Sequence, residues 1–117
     1  MVMKPTQFDG AVPVDGYGPG FFRVGGTVFH GAVLVTQGGG RDWGGLDDHA
    51  TLLTLAGRVD VLFLGMGPQI AHAPSALVDA LQEVGIAVET MASPTAARTY
   101  NVTLSEGRRV ACALLPV

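Results

Sequence analysis

The sequence predicts a single α/β domain that combines a parallel strand-helix-strand unit with an N-terminal antiparallel hairpin portion. Residues 59–89 carry the first part of this prediction, because an apolar run, an amphipathic stripe and a second strand follow one another there. The Gly25-Gly26 pair between two strand-like segments carries the second. A chain of 117 residues, 48% of them hydrophobic, suits one core and is too short for two ordinary domains. We therefore assign residues 1–117 to one domain and leave open whether residues 1–13 form a loosely docked arm.

The first third of the chain predicts an antiparallel layer. Residues 16–20 have the composition of a turn, and residues 21–24 and 27–29 predict the two strands of a hairpin. Residues 32–36 are rich in β-branched side chains and predict a third strand. Residues 37–42 contain three consecutive glycines, so we expect a surface loop there.

A short helix is predicted between Leu46 and Leu55, because apolar residues recur there at steps of four and three. Asp47 and Asp48 are expected in its first turn, where the helix dipole favours acidic side chains. Trp43 is expected to anchor the preceding loop on the core.

The second half predicts a parallel crossover. Residues 59–65 are typical of a strand buried on both faces, and residues 86–89 predict the next strand. Between them, a helix is expected to begin at Pro74 and to end at Gly85. Its predicted apolar stripe consists of Leu77, Val78, Leu81 and Val84.

A further helix is predicted from about Pro94 to Ser105, with Ser93 as its N-cap. Its inner face is expected to carry Ala97, Tyr100, Asn101 and Leu104. Residues 108–115 then predict a final strand that places the single cysteine, Cys112, in apolar surroundings.

The carboxyl ends of the two parallel strands predict a candidate ligand site. Open α/β sheets bind ligands in the crevice at that edge, and two helix N-termini direct their positive dipole ends towards it. Arg98 would add a guanidinium suited to a carboxylate or phosphate. The candidate ligand-binding residues are Gly65, Met66, Gly67, Pro68, Ser93, Arg98, Tyr100 and Asn101.

Each of these residues also has a structural interpretation. The glycines at 65 and 67 would permit a sharp strand exit, and Arg98 would brace a loop carbonyl or an acidic side chain. Asn101 would satisfy backbone groups of a neighbouring segment, and Tyr100 would fill the core with its hydroxyl at the rim. The residues alone leave both interpretations open.

Charge and motif content argue against several functions. The net charge is -3 with scattered basic residues, so neither a nucleic-acid interface nor a polybasic membrane patch is expected. The longest apolar run, residues 61–66, is far shorter than the roughly 20 residues of a membrane-spanning helix, so we expect no stable membrane insertion. The lone thiol of Cys112 and an N-terminus without a secretory signal favour a cytoplasmic location.

The sequence carries no recognisable catalytic constellation. His30, His49 and His72 have no metal-ligand spacing, and a nucleophile elbow, a phosphate-binding loop and a cysteine pair are all missing from the sequence. The glycines at 65 and 67 match a dinucleotide fingerprint poorly, because the third glycine position is Ile70. We therefore predict no cofactor, no metal and no catalytic residue; the question of an enzyme stays open, and the residues favour a protein that is not one.

Several stretches resemble one known family. They are residues 16–20 with 22–24, 61–67, 85–91, and 98–102 with 106–110. The most specific is 98–102, which reads Arg-Thr-Tyr-Asn-Val and follows a Gly-Ile-x-Val-Glu strand. The chain resembles a small single-domain family of unknown function that includes mitochondrial NADH dehydrogenase (complex I) assembly factor 3 and an adipogenesis-associated protein.

The resemblance implies a three-layer α/β fold with a mixed central sheet. It also implies a non-enzymatic assembly or interaction factor linked to a respiratory NADH dehydrogenase, with respiratory-complex subunits or another protein as partner. Met66, Ser93 and Ala97 stand where the family pattern has Thr, Thr and Cys, so a family site that depended on the side chain in that turn would not be kept at Met66, whereas a backbone role would be kept. The alternative function is a small anionic-ligand binder or an unrecognised enzyme that uses the cleft at residues 65–68 with Arg98. The oligomeric state stays open.

Overall fold

A computed structural model describes residue 8 and residues 10–117. The elements within these residues are β1 (Val14–Gly18), β2 (Phe21–Val24), β3 (Thr27–His30), β4 (Val33–Thr36), β5 (Gly39–Asp42), α1 (His49–Leu53), β6 (Val61–Gly65), α2 (Ser75–Glu83), β7 (Ala87–Met91), α3 (Ser93–Ser105) and β8 (Val110–Leu114). They form two sheets and three helices around two apolar clusters.

The strands form a small antiparallel sheet and a larger mixed sheet. The small sheet has the order β1-β2-β3, and the large sheet has the order β5-β4-β8-β6-β7. β6 pairs in parallel with both β7 and β8, whereas β4 pairs antiparallel with β5 and β8. The predicted mixed sheet, its parallel strand-helix-strand unit and the antiparallel hairpin portion are therefore confirmed.

The large sheet is buried on both faces because its strands alternate side chains between two apolar clusters. Along β8, Ala111 and Ala113 belong to one cluster, and Cys112 and Leu114 belong to the other. Buried leucines of α1 and α2 cover the first face. Side chains of α3 and of the small sheet cover the second face. The three-layer arrangement is confirmed.

Two segments that were expected to be irregular are strands. Residues 16–18, predicted as part of a turn, belong to β1 and pair with β2, where the ring of Phe21 fills the space beside Gly18. Residues 39–42, predicted as a loop, form β5 and pair with β4. A Cβ at Gly40 would lie 2.7 Å from the ring of Phe29, so the missing side chain is what lets the small sheet pack there. In both segments, tertiary pairing overrides the weak strand propensity of glycine.

The predicted third strand lies in a different sheet from the hairpin. β4 does not pair with β3, because Gly31 at φ 86° turns the chain away between them. The N–H of Gly31 donates to the carbonyl of Gly20 at 3.0 Å, which holds this turn against the β1–β2 turn. The antiparallel neighbours of β4 are β5 and β8.

The helices follow the predicted pattern with shifted ends. α1 begins at His49 because the side chain of Asp48 caps it by accepting a hydrogen bond from the N–H of Thr51, so Asp48 lies before the first turn. Trp43 is buried, and its Nε1–H donates to the carbonyl of Asp48 at 3.1 Å, as an anchor should. In α2, Leu77 and Leu81 of the predicted stripe are buried, whereas Val84 is 41% exposed at the end of the helix, so its place in the buried stripe was predicted wrongly.

The N-terminal segment is described in part. Residues 1–7 and 9 lie outside the described residues, so the arm predicted for residues 1–13 is described only at residue 8 and from residue 10 onwards. Phe8 and Val12 are partly buried and pack against the cluster beneath α3. The assignment of residues 1–117 to one domain stays a prediction.

Candidate functional site

The carboxyl edge of the large sheet is held together by backbone hydrogen bonds at the end of β6. The carbonyl of Gly65 accepts from the N–H of Leu115 at 2.9 Å, and the N–H of Met66 donates to the carbonyl of Met91 at 2.8 Å. Hydrogen bonds therefore join the ends of β6 and β7 and the segment after β8 at the position of the predicted cleft. Met66 is half-buried and Pro68 is exposed at this edge.

Ser93 joins this turn to the segment after β8. Its hydroxyl accepts from the N–H of Gly67 at 2.9 Å and donates to the carbonyl of Leu115 at 2.7 Å. Its own N–H donates to the carbonyl of Gly67 at 2.7 Å. The prediction that Ser93 is the N-cap of α3 is therefore wrong: Ala92 occupies the cap without a side-chain hydrogen bond, because the Ser93 hydroxyl is committed to the turn.

Gly65 is required by close packing against Ser93. A Cβ at Gly65 would lie 2.6 Å from the Oγ and 2.7 Å from the Cα of Ser93, both far inside van der Waals contact. Gly67 has a φ of +100°, a backbone conformation that residues other than glycine rarely adopt. The interpretation that these glycines permit a sharp exit from the strand explains both positions, because Ser93 occupies the space beside the turn.

Tyr100 and Asn101 lie against the N-terminal segment and not at the turn. Asn101 accepts from the N–H of Val14 through Oδ1 at 2.9 Å and donates from Nδ2 to the carbonyl of Val14 at 2.8 Å. The hydroxyl of the buried Tyr100 donates to the carbonyl of Val12 at 3.0 Å. Asn101 thus satisfies the backbone of a neighbouring segment, and α3 fastens β1 to the large sheet.

Arg98 is exposed on α3, and no residue in the described part of the chain forms an ion pair or hydrogen bond with its guanidinium. The structure therefore brings Gly65, Gly67 and Ser93 together, and it places Tyr100 and Asn101 against a different segment. Ligand binding by the eight candidate residues stays a prediction.

The two titratable groups in the core beneath α3 are held neutral. Burial raises the pKa of the Tyr100 hydroxyl, and the nearby Cys112 raises it further. Burial also raises the pKa of the Cys112 thiol well above its usual value. A thiol that stays protonated is a poor nucleophile, so Cys112 is a packing residue of β8.

We expect the stability of the fold to fall in alkaline solution more steeply in the wild type than in Tyr100→Phe. Above about pH 10 the tyrosine of the unfolded chain loses its proton while the buried one keeps it, so rising pH favours unfolding by about 1.4 kcal/mol per pH unit. Cys112 adds a similar effect from about pH 8.5 in both proteins. Urea unfolding of both proteins between about pH 8 and about pH 11 measures how the free energy of unfolding depends on pH. If this free energy fell equally steeply with pH in the wild type and in Tyr100→Phe, this account of Tyr100 would be contradicted.

Within residue 8 and residues 10–117, no three His, Cys, Asp or Glu side chains come close enough to hold a metal ion. No helix in this part of the chain is long and apolar enough to cross a bilayer.

A pocket that sequence reasoning missed lies at the opposite edge of the large sheet. It has a volume of about 400 Å³ and is lined in part by Arg41, Arg58 and Arg109. Two of these arginines, Arg58 and Arg109, stand just before β6 and β8. The sequence shows that each of these arginines precedes a strand. It does not show that β6 pairs with β8, and this pairing is what brings the starts of the two strands together.

The chain is a small three-layer α/β protein in which the segment after β8 packs against the turn that follows β6. The chain belongs to the family described as "Protein of unknown function (DUF498/DUF598)", whose model matches residues 14–115. The resemblance found in the sequence is thereby confirmed.

Three similar proteins differ in how they are described. An uncharacterized protein of Rhodobacter capsulatus is 50% identical over the whole chain, which covers 94% of that protein. The NADH dehydrogenase [ubiquinone] 1 alpha subcomplex assembly factor 3 of Danio rerio is 28% identical over 98% of this chain, which spans 70% of that protein. A crystal structure of a protein described as an outer membrane protein from Bartonella henselae superimposes with a TM-score of 0.82 at 32% identity, covering 95% of this chain and 99% of that one.

Proposed function

We propose that this chain is a non-enzymatic interaction factor that assists the assembly of a respiratory NADH dehydrogenase. The observation that carries this proposal is the similarity to a complex I assembly factor along 98% of the chain. The similarity extends over nearly the whole chain, so it concerns the whole fold and not one motif.

An exposed apolar loop supports an interaction role. The segment 66–74 leaves β6 at the turn that Ser93 holds, and Ile70 in this segment is 70% exposed. It is the most exposed large hydrophobic side chain in the described part of the chain; Val28, Val84 and Val102 are less exposed. Full burial of the Ile70 side chain against a partner would contribute about 1.5–3 kcal/mol.

The proposal is tested by deleting the gene in its source organism and following respiratory complexes on native gels with NADH dehydrogenase activity. We expect selective loss of the assembled complex and its recovery when the wild-type chain is restored. Fractionation of the same cells checks the cytoplasmic location that the proposal includes and that the single buried thiol favours. Unchanged complex levels in the deletion strain would refute the assembly role.

A loop variant locates the interaction. We expect Ile70→Ser to restore less assembled complex than the wild type, because it removes the exposed apolar contact without touching a buried residue. Val28→Ser is the matched control, since Val28 is a less exposed apolar residue of the small sheet, and it should restore assembly fully. Equal restoration by the two variants, at equal protein levels, would exclude the loop as the contact surface.

The second candidate function is anion binding at residues 65–68 with Arg98. The observation that favours it is the exposed guanidinium of Arg98, which has no partner among the described residues. The commitment of the Ser93 hydroxyl to Gly67 and Leu115 weighs against it. The Arg98→Gln variant described below tests this candidate directly.

A further inference from the structure

The pocket of about 400 Å³ lies at the amino ends of β6 and β8, on the opposite edge of the sheet from Gly65. Its walls come from separate segments: the end of β4, the strand β5, the turn between α1 and β6, and the residue before β8. A cavity of this size falls in the range of small-molecule sites. It is distinct from the turn and from the exposed loop considered above.

The pocket concentrates positive charge in an acidic protein. Arg41, Arg58 and Arg109 are among its lining residues, which include no aspartate or glutamate. The chain has only six arginines and a net charge of -3, so half of its guanidinium groups surround one cavity. Such a concentration raises the local potential against the overall sign of the molecule and attracts anions to this place.

The three arginines differ in how far their charges are already used. Arg109 donates from Nη2 to the carbonyl of Gly57 at 3.0 Å and lies 3.6 Å from Oδ1 of Asp60, so its head group is positioned. No carboxylate in the described part of the chain lies within ion-pair distance of Arg41 or Arg58, although Arg41 at longer range adds to the hydrogen bonds that lower the pKa of the Asp48 carboxyl. Two guanidinium groups with ten N–H donors in total are therefore available to a ligand.

The floor of the pocket is apolar. Leu34, Leu55, Val59 and Val110 are buried and line it beneath the arginines. The three arginine side chains around it are exposed, so solvent and salt screen their charges. The floor offers contact to the carbon frame of an organic ligand, which a bare inorganic ion would not use.

We infer that this pocket binds a small anion that carries two or more phosphate or carboxylate groups. Guanidinium groups recognise both kinds of group through paired N–H donors, and several of them around one cavity match several negative groups on one molecule. The inference goes beyond the assembly role and does not depend on it. Arg41 and Arg58 are the assigned ligand-binding residues, and Arg109 completes the wall.

The test is a titration of the folded protein with inorganic pyrophosphate and, separately, with citrate, followed by amide NMR. We expect the resonances of residues 36–41 and 54–59 to shift with at least one anion, and the stronger binder tells phosphate from carboxylate chemistry. Arg58→Gln and Arg41→Gln should each weaken binding by about 10-fold, the value of one charge-assisted contact. Both variants should fold normally, because neither side chain has an ion-pair partner in the described part of the chain.

Arg23→Gln is the matched control. It removes one exposed guanidinium from outside the pocket and should leave binding unchanged within about 2-fold. Arg98→Gln separates the pocket from the second candidate function, because it should weaken binding only if the anion binds at residues 65–68. Three results would overturn the inference: no shift with either anion, equal weakening by Arg23→Gln and the two pocket variants, or shifts centred on residues 65–68 and Arg98. The last result would support the second candidate function instead.

Discussion

Asn101→Ala is expected to lower the free energy of unfolding by about 2–4 kcal/mol. The variant removes both hydrogen bonds to Val14, whose N–H and carbonyl belong to a residue with no exposed surface. Two backbone groups are then left without partners, and each unpaired buried group costs about 1–3 kcal/mol. Urea unfolding monitored by circular dichroism measures the loss as a lower midpoint at constant slope.

Two further variants of α3 make this result specific. Asn101→Asp keeps an oxygen for the N–H of Val14 and loses the donor to its carbonyl, so it should also be destabilised. Val102→Ala alters the next residue of the same helix, where the side chain is 54% exposed, and should change stability by less than about 0.5 kcal/mol. If Asn101→Ala and Val102→Ala were equally stable, the contact to Val14 would not fasten β1.

Gly65→Ala is expected to lower the free energy of unfolding by about 1–3 kcal/mol or more, because one methyl group is forced into a filled space. The added Cβ would lie 2.7 Å from the Cα of Ser93, which belongs to the backbone and cannot rotate away. Gly38→Ala is the control: its Cβ would meet nothing nearer than Oγ1 of Thr36 at 3.8 Å, so its stability should stay within about 0.5 kcal/mol. Thermal unfolding of the three proteins provides the comparison.

A double variant separates the clash from other effects at this turn. Ser93→Gly removes the Oγ that a Cβ at position 65 would meet at 2.6 Å, and it also removes two hydrogen bonds. The contact with the Cα of Ser93 remains in this variant, so the two substitutions should cost less together than the sum of their separate costs only by the part of the clash that the Oγ causes. Strict additivity would mean that the Oγ adds nothing to the clash.

The parts of the fold that local patterns specify were predictable. The β6-α2-β7 crossover follows from one apolar run, one amphipathic stripe and a glycine stop, all within a short stretch. β1 and β5 were missed because their glycines have low strand propensity and gain their strand geometry from neighbours elsewhere in the chain. The central position of β8 has no local signal at all, because it is defined by pairing with β4 and β6.

The candidate site was predictable to a smaller extent. Sequence reasoning placed Gly65, Gly67 and Ser93 at one edge, and they meet there. The partner of Asn101 is 87 residues away, so no spacing rule identifies it. The arginine pocket was missed because open α/β sheets bind ligands at the carboxyl edge, and this pocket lies at the amino edge.

The central place of β8 has a kinetic consequence. The pair β4–β5 and the pair β6–β7 become one sheet only when β8, the last strand in sequence, is inserted between them. This pairing joins residues that are far apart in the chain. The chain therefore loses conformational entropy on closing these long loops before the sheet contacts stabilise it, and folding should be slow for a protein of this size. Until that step, β4 and β6 each display an unpaired edge that invites aggregation. A weakened β8 would thus prolong the most vulnerable stage of folding, even where the finished molecule remained stable.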